Sequence, residues 1–153
     1  MDYNLLCAQV KSFAEADGWY VPLMANAAAL LFDSMADLNW AGFYVMRQGQ
    51  LVLGPFQGKL ACVHIPVGKG VCGTAVAEDK TQRVADVHAF PGHIACDSAS
   101  NSEIVIPIHR DGAVVAVLDI DSPVLNRFSE ADQAGLETLV KALEALDIDW
   151  RGL

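Results

Sequence analysis

The stretch Glu103-Ile104-Val105-Ile106-Pro107-Ile108-His109-Arg110-Asp111-Gly112-Ala113-Val114-Val115-Ala116-Val117-Leu118-Asp119-Ile120 decides the fold. Asp111-Gly112 is a strong short-range hairpin signal, because both residue types tolerate the positive φ of a tight two-residue turn. Glu103 to His109 and Ala113 to Ile120 therefore read as two antiparallel strands. Their near-continuous Val and Ile content predicts a central pair covered on both faces. Upstream, Trp40-Ala41-Gly42-Phe43-Tyr44-Val45-Met46 is aromatic and strand-like. Gln48-Gly49-Gln50 turns the chain, and Leu51-Val52-Leu53 returns.

Helices lie outside these strands. Asp2 to Ala16 places Leu5, Leu6, Val10, Phe13 and Ala14 near a 3.6-residue period, and Asp17-Gly18 ends it. Pro22 suits the first turn of a second helix that runs through Leu23, Ala27, Leu30 and Leu31 to about Met35. Ser129-Glu130-Ala131-Asp132 opens a last helix with a capping box, and Leu136, Leu139, Val140 and Leu143 form its apolar face. Between the strands, Val67 to Gly73 is Gly-rich and leads into a short helix near Thr74 to Ala77. Asp86 to Asn101 has no clear periodicity, and a loop of that length in a compact domain is usually functional. The expected fold is one α+β domain over residues 1–153. Terminal helices pack on one face of a central antiparallel sheet, and a loop-covered pocket lies on the other.

The chain has 153 residues, enough for one self-sufficient core. Hydrophobic residues make up 53% and charged residues 19%, which excludes disorder. The balance of 10 Lys+Arg against 19 Asp+Glu, a net charge of -9, disfavours nucleic-acid backbones and anionic membrane surfaces. The charge-free stretch Gly18 to Phe32 contains Pro22 and falls short of the ~20 apolar residues of a membrane span. Met1-Asp2-Tyr3-Asn4 shows no basic leader, so a cytoplasmic protein is expected.

In that reducing setting Cys7, Cys62, Cys72 and Cys96 are not a structural disulfide framework. Cys7, on the apolar side of the first helix, reads as a buried inert thiol. Cys96 sits in the long loop within Pro91-Gly92-His93-Ile94-Ala95-Cys96-Asp97 and is the candidate reactive thiol. Cys62 lies at a strand start. Cys72 lies in a Gly-rich turn before a helix, where a thiol pKa can fall. An oxidised thiol needs a second within reach, and either of these can serve. Zinc ligands usually pair two to four residues apart, whereas these cysteines are separated by 10 and 24 positions. His93 and Cys96 are workably spaced but lack a second half, so no metal site is expected.

Asp119 and Asp121 are two apart on a strand and share a face. Glu103 can join them across the hairpin. The bland reading is solvation at a strand end. The functional one is a cluster that holds a substrate ammonium and supplies a proton, because crowded carboxylates raise one another's pKa. Trp40 and Tyr44 share a face as either core or pocket wall. Val67-Gly68-Lys69-Gly70-Val71-Cys72-Gly73-Thr74 lacks the residue order of a phosphate loop.

Together these motifs resemble a family. The matching stretches are Trp40 to Tyr44, Gly54-Pro55-Phe56-Gln57-Gly58-Lys59-Leu60-Ala61-Cys62, Gly68 to Ala75, Phe90 to Asp97, Asn101 to Val105 and Val117 to Ser122. The architecture resembles a GAF domain, and the motifs resemble the free methionine-(R)-sulfoxide reductase family. The three-cysteine spacing is the specific part. The resemblance implies reduction of free L-methionine-(R)-sulfoxide to methionine. Thiolate attack on a sulfoxide sulfur needs the oxygen protonated, so a thiol and an acid must face one substrate. On the family pattern Cys96 is the nucleophile and becomes a sulfenic acid. Cys62 then forms a disulfide with it, which thioredoxin reduces, and Cys72 is a third cysteine able to exchange with the pair. Which of Cys62 and Cys72 acts first stays open. Glu103, Asp119 and Asp121 match the acidic pocket, and Trp40 and Tyr44 match the aromatic wall. No cofactor is implied, and a homodimer is. Ala116 stands where the family pattern has Gly. Asp97, beside Cys96, should raise the thiol pKa, so activation must come from substrate or His93. The competing readings are a non-catalytic GAF sensor of a small ligand and a zinc-binding structural domain.

Overall fold

The structure is a computed structural model that describes residues 1–94 and 98–153. The hairpin at Asp111-Gly112 forms as expected. Both turn residues have positive φ, 53° and 79°, and join strands β5 (Ser102–Arg110) and β6 (Ala113–Ser122). Gln48 and Gly49 repeat the device, with φ of 53° and 82°, between β1 (Trp40–Arg47) and β2 (Gln50–Gly58). With the short strands β3 (His64–Ile65) and β4 (Gln82–Val84), these make a six-stranded antiparallel sheet in the order β3-β2-β1-β6-β5-β4.

Three boundaries differ from the sequence reading. β2 runs on from Leu53 to Gly58, past Gly54-Pro55. The β1–β2 register shifts between Gly42 and Tyr44, so the proline sits at the irregularity, where a missing N–H costs no regular ladder bond. β4 and β3 are too short to show periodicity. Helix α3 spans Gly70–Glu78 rather than Thr74–Ala77, despite two glycines that lower helix propensity. Gly73 is there for space, since a Cβ would strike the Pro66 carbonyl oxygen.

Helices α1 (Tyr3–Ala16), α2 (Tyr20–Ser34) and α4 (Glu130–Glu144) lie on one face of the sheet. The Asp2 side chain accepts from Leu5 N at 3.0 Å and caps α1. Pro22 falls in the first turn of α2. Ser129 and Asp132 form the reciprocal capping box of α4. Alternate strand residues Ala41, Phe43, Val45, Ile104, Ile106, Ile108, Ala116, Leu118 and Ile120 meet Leu6, Val10, Leu23, Leu31, Leu136, Leu139 and Leu143 in the main core. Each fully buried aliphatic side chain here contributes about 1.5–3 kcal/mol. Ala116 is wholly buried on this side, so its methyl packs in the helix-facing core. Cys7 is also in this core, as expected.

The intervening residues point the other way. Trp40, Tyr44, Val105 and Val117 join Leu51, Ile65, Val71, Cys72 and Ala75 in a smaller cluster under α3. The second face is thus part core and part pocket. Among the described residues, no helix is long and apolar enough to cross a membrane.

Candidate active site

The pocket opens on the α3 side of the sheet. Trp40 and Tyr44 rise from β1, Glu103 from β5, and Asp119 and Asp121 from β6. Cys72 enters from the first turn of α3, and Leu60, Ala61, His93, Ile94 and Ser100 supply loop walls. Asp119 and Asp121 share a face, and Glu103 sits directly opposite Asp121 in the β5–β6 ladder.

Trp40 and Tyr44 are both core and wall. Each is 2% exposed, and their rings stack with centroids 5.8 Å apart. Phe56 stacks on the far side of Trp40 at 5.1 Å. Gly42 makes room for this, because a Cβ there would overlap the Phe56 side chain. Both aromatics also hold the loop that carries Cys62. Trp40 Nε1 donates to the Lys59 carbonyl at 3.2 Å, and Tyr44 Oη donates to the Cys62 carbonyl at 3.1 Å. Cys62 is half-buried, two positions before β3 rather than on a strand.

Strand-end solvation does not describe the carboxylates. Glu103 is 8% exposed and Asp119 5%. Burial, then the Asp119 and Asp121 charges, push the Glu103 pKa well above the ordinary carboxyl range. Asp119 is raised by burial too, but hydrogen bonds with Glu103, Asp121 and the Cys72 thiol oppose the rise. Both shifts run upward, so the pair together holds a proton above the ordinary carboxyl range. Asp119 Oδ1 is buried with no hydrogen-bond partner among the described residues.

Cys72 departs from expectation in two ways. It lies inside α3, not ahead of it, and is buried as a free thiol. Its pKa rises rather than falls. Burial is the largest cause, followed by the charges of Asp119, Glu103 and Asp121, which outweigh the helix N-terminus. His93 lines the pocket with its pKa lowered by burial and by His88. Cys96 and Asp97 lie outside the described residues. Sequence reasoning missed Ser100, which accepts from Asn39 Nδ2 at 3.0 Å, and Lys69 at the pocket edge. Ser100 had no motif of its own, and Lys69 lay within the quoted Gly-rich stretch without being singled out. Phe56 lay within a quoted stretch, but its stacking partner is on another strand.

A curled antiparallel sheet with a hollow on one face defines a class, and residues 23–145 match the GAF domain family. A free methionine-R-sulfoxide reductase of Escherichia coli is 54% identical over 143 residues, spanning 94% of this chain and 82% of that protein. The chain belongs to the GAF-domain family of free methionine-R-sulfoxide reductases. The fRMsr of Staphylococcus aureus, solved in complex with substrate, is 52% identical with a TM-score of 0.88 and covers 94% of each chain. The Neisseria meningitidis free methionine-R-sulfoxide reductase, also solved with its substrate, is 45% identical with a TM-score of 0.89. That match covers 93% of this chain and 86% of that one.

Proposed function

We propose that the chain reduces free L-methionine-(R)-sulfoxide to L-methionine. What supports this above all is the buried Glu103–Asp119 carboxyl pair facing the stacked Trp40–Tyr44 wall across one small hollow. The methyl-sulfur end lies against the aromatic rings, and the ammonium lies against the Asp119 and Asp121 carboxylates. The Cys96 thiol attacks the sulfoxide sulfur while Glu103 gives a proton to its oxygen. The sulfur gains two electrons, methionine leaves, and Cys96 becomes a sulfenic acid. The Cys62 thiol then displaces water from Cys96, leaving a Cys62–Cys96 disulfide. Thioredoxin takes up the disulfide by exchange and restores both thiols. Cys72, neutral and buried, exchanges with the pair rather than starting the reaction. A homodimer is the assembly this family reading carries.

The reading is tested by offering reduced protein the free R-sulfoxide, the S epimer and a peptide-bound R-sulfoxide, each with dithiothreitol, and quantifying methionine. Turnover confined to the free R epimer is expected, because a peptide blocks the ammonium that the acidic cluster takes. Folded protein with free thiols that turns over none of the three overturns the reading and leaves a ligand-sensing domain. Cys96→Ser abolishes product, and activity retained in that variant removes its assigned role.

A further inference from the structure

Cys72, Glu103 and Asp119 reach one point from three elements, α3, β5 and β6. All three are buried, and one ligand atom of each lies within 4.8 Å of the others. We propose that these three side chains form a site for a thiophilic divalent cation of the zinc type, at the acidic end of the pocket. The donor set decides the class of ion. A thiol with two carboxylates suits zinc, whereas magnesium and calcium prefer all-oxygen shells. Tetrahedral ligand atoms about 2.0–2.3 Å from zinc stand about 3.3–3.8 Å apart, a contraction that side-chain rotation supplies. Three protein ligands leave the fourth position open toward the pocket, as open zinc sites do.

A second observation points to a ligand independently of the clustering. Asp119 Oδ1 is buried and aimed into the hollow with no hydrogen-bond partner among the described residues. A buried acceptor without a donor is costly, and a cation satisfies it. Asp119 already touches the Cys72 thiol and Glu103, so the ion needs no new approach of the chain. The ion uses Glu103 and Asp119, which the reductase reading gives to the substrate, so ion and substrate compete for this end of the pocket; metal binding itself requires neither Cys62 nor Cys96.

Cadmium, whose bond to a thiolate absorbs in the ultraviolet, is the probe. The full chain carrying both Cys62→Ser and Cys96→Ser removes the two thiols that the reductase reading assigns to the redox pair. Titration of this reduced protein gives a thiolate-to-cadmium charge-transfer band that saturates at one ion per chain, and zinc displaces the cadmium. Adding Cys72→Ser abolishes the band. Adding Asp119→Asn instead keeps the thiol but weakens binding by roughly tenfold or more, since changes even outside the ligand shell cost about 10–100-fold. Circular dichroism verifies that each variant is folded. A folded double variant with no band overturns the proposal, as does a band that survives Cys72→Ser or is indifferent to Asp119→Asn.

Discussion

Glu103 shows how much of a site one residue's surroundings create. Its carboxyl is ordinary in sequence, but burial and the facing Asp119 and Asp121 keep it protonated well above the usual range. In its proposed role as proton donor it should give turnover that falls as pH rises through its raised pKa, and a profile flat from about pH 5 to 9 contradicts this. Glu103→Gln keeps the shape and loses the proton, so kcat should drop about 10²–10⁴-fold. The same substitution acts on stability in the opposite sense. A carboxyl whose folded pKa is raised contributes fully below its unfolded value and is lost as pH rises through the folded one. Glu103→Gln should therefore resist urea better than the parent at alkaline pH, and an equal loss in both proteins removes the linkage. Tyr44 offers a finer test. Tyr44→Phe keeps the ring but frees the Cys62 carbonyl, so closure of the disulfide should slow by about fivefold, the rate equivalent of a ~1 kcal/mol hydrogen bond. The first methionine released in a single turnover should be unaffected. That the three carboxylates share a face was legible from a spacing of two and a hairpin. That Glu103 and Asp119 are buried was not, because the cover comes from α3, whose Gly70 and Gly73 disguise its start.

Among the elements, α4 states most clearly what its sequence asks of it. Ser129 and Asp132 cap it reciprocally, with Asp132 N donating to Ser129 Oγ at 3.0 Å and Ser129 N to Asp132 Oδ2 at 3.0 Å. Gly135 is the exception, a poor helix former in the middle of the run. The structure supplies the reason. The Tyr3 ring lies where a Cβ would stand, and Tyr3 Oη donates to Asp132 Oδ1 at 2.8 Å. Gly135→Ala should thus destabilise by about 1–3 kcal/mol through overpacking, against its helix propensity, and a gain on thermal unfolding overturns that account. The hairpins and long helices were readable because period and turn chemistry agree within each one. β2 beyond Leu53, β3 and β4 were not, because a proline at a register shift and runs of two or three residues leave no periodic trace.

At the scale of the molecule, His109 joins the layers on either side of the sheet. Its Nδ1 meets Glu144 of α4 at 2.6 Å, and its Nε2 meets Asp79, the C-cap of α3, at 2.5 Å. Partial burial pulls its pKa down, but the hydrogen bonds and charges of Asp79 and Glu144 prevail and raise it. The sign follows from linkage. The stabilisation is full below the unfolded histidine value of about 6.5 and is lost as pH rises through the folded one. Unfolding midpoints should fall over that window in the parent and stay flatter in His109→Gln. An unchanged slope in the variant shows that the clamp carries no pH dependence.

The alternation along β6 has a consequence for how such a chain can change. Ala116, Leu118 and Ile120 face the helices, while on the other face Val117 packs in the smaller cluster and Asp119 and Asp121 line the hollow. Adjacent codons in this strand thus answer to different judges, one scoring folding and the next chemistry. Point substitutions at hollow-facing positions can explore new small molecules while the foundation stays untouched. A single inserted or deleted residue upstream in the strand would exchange the two roles along its length at once. Such a lineage can drift in what it handles one letter at a time, but the spacing of this strand is closed to it.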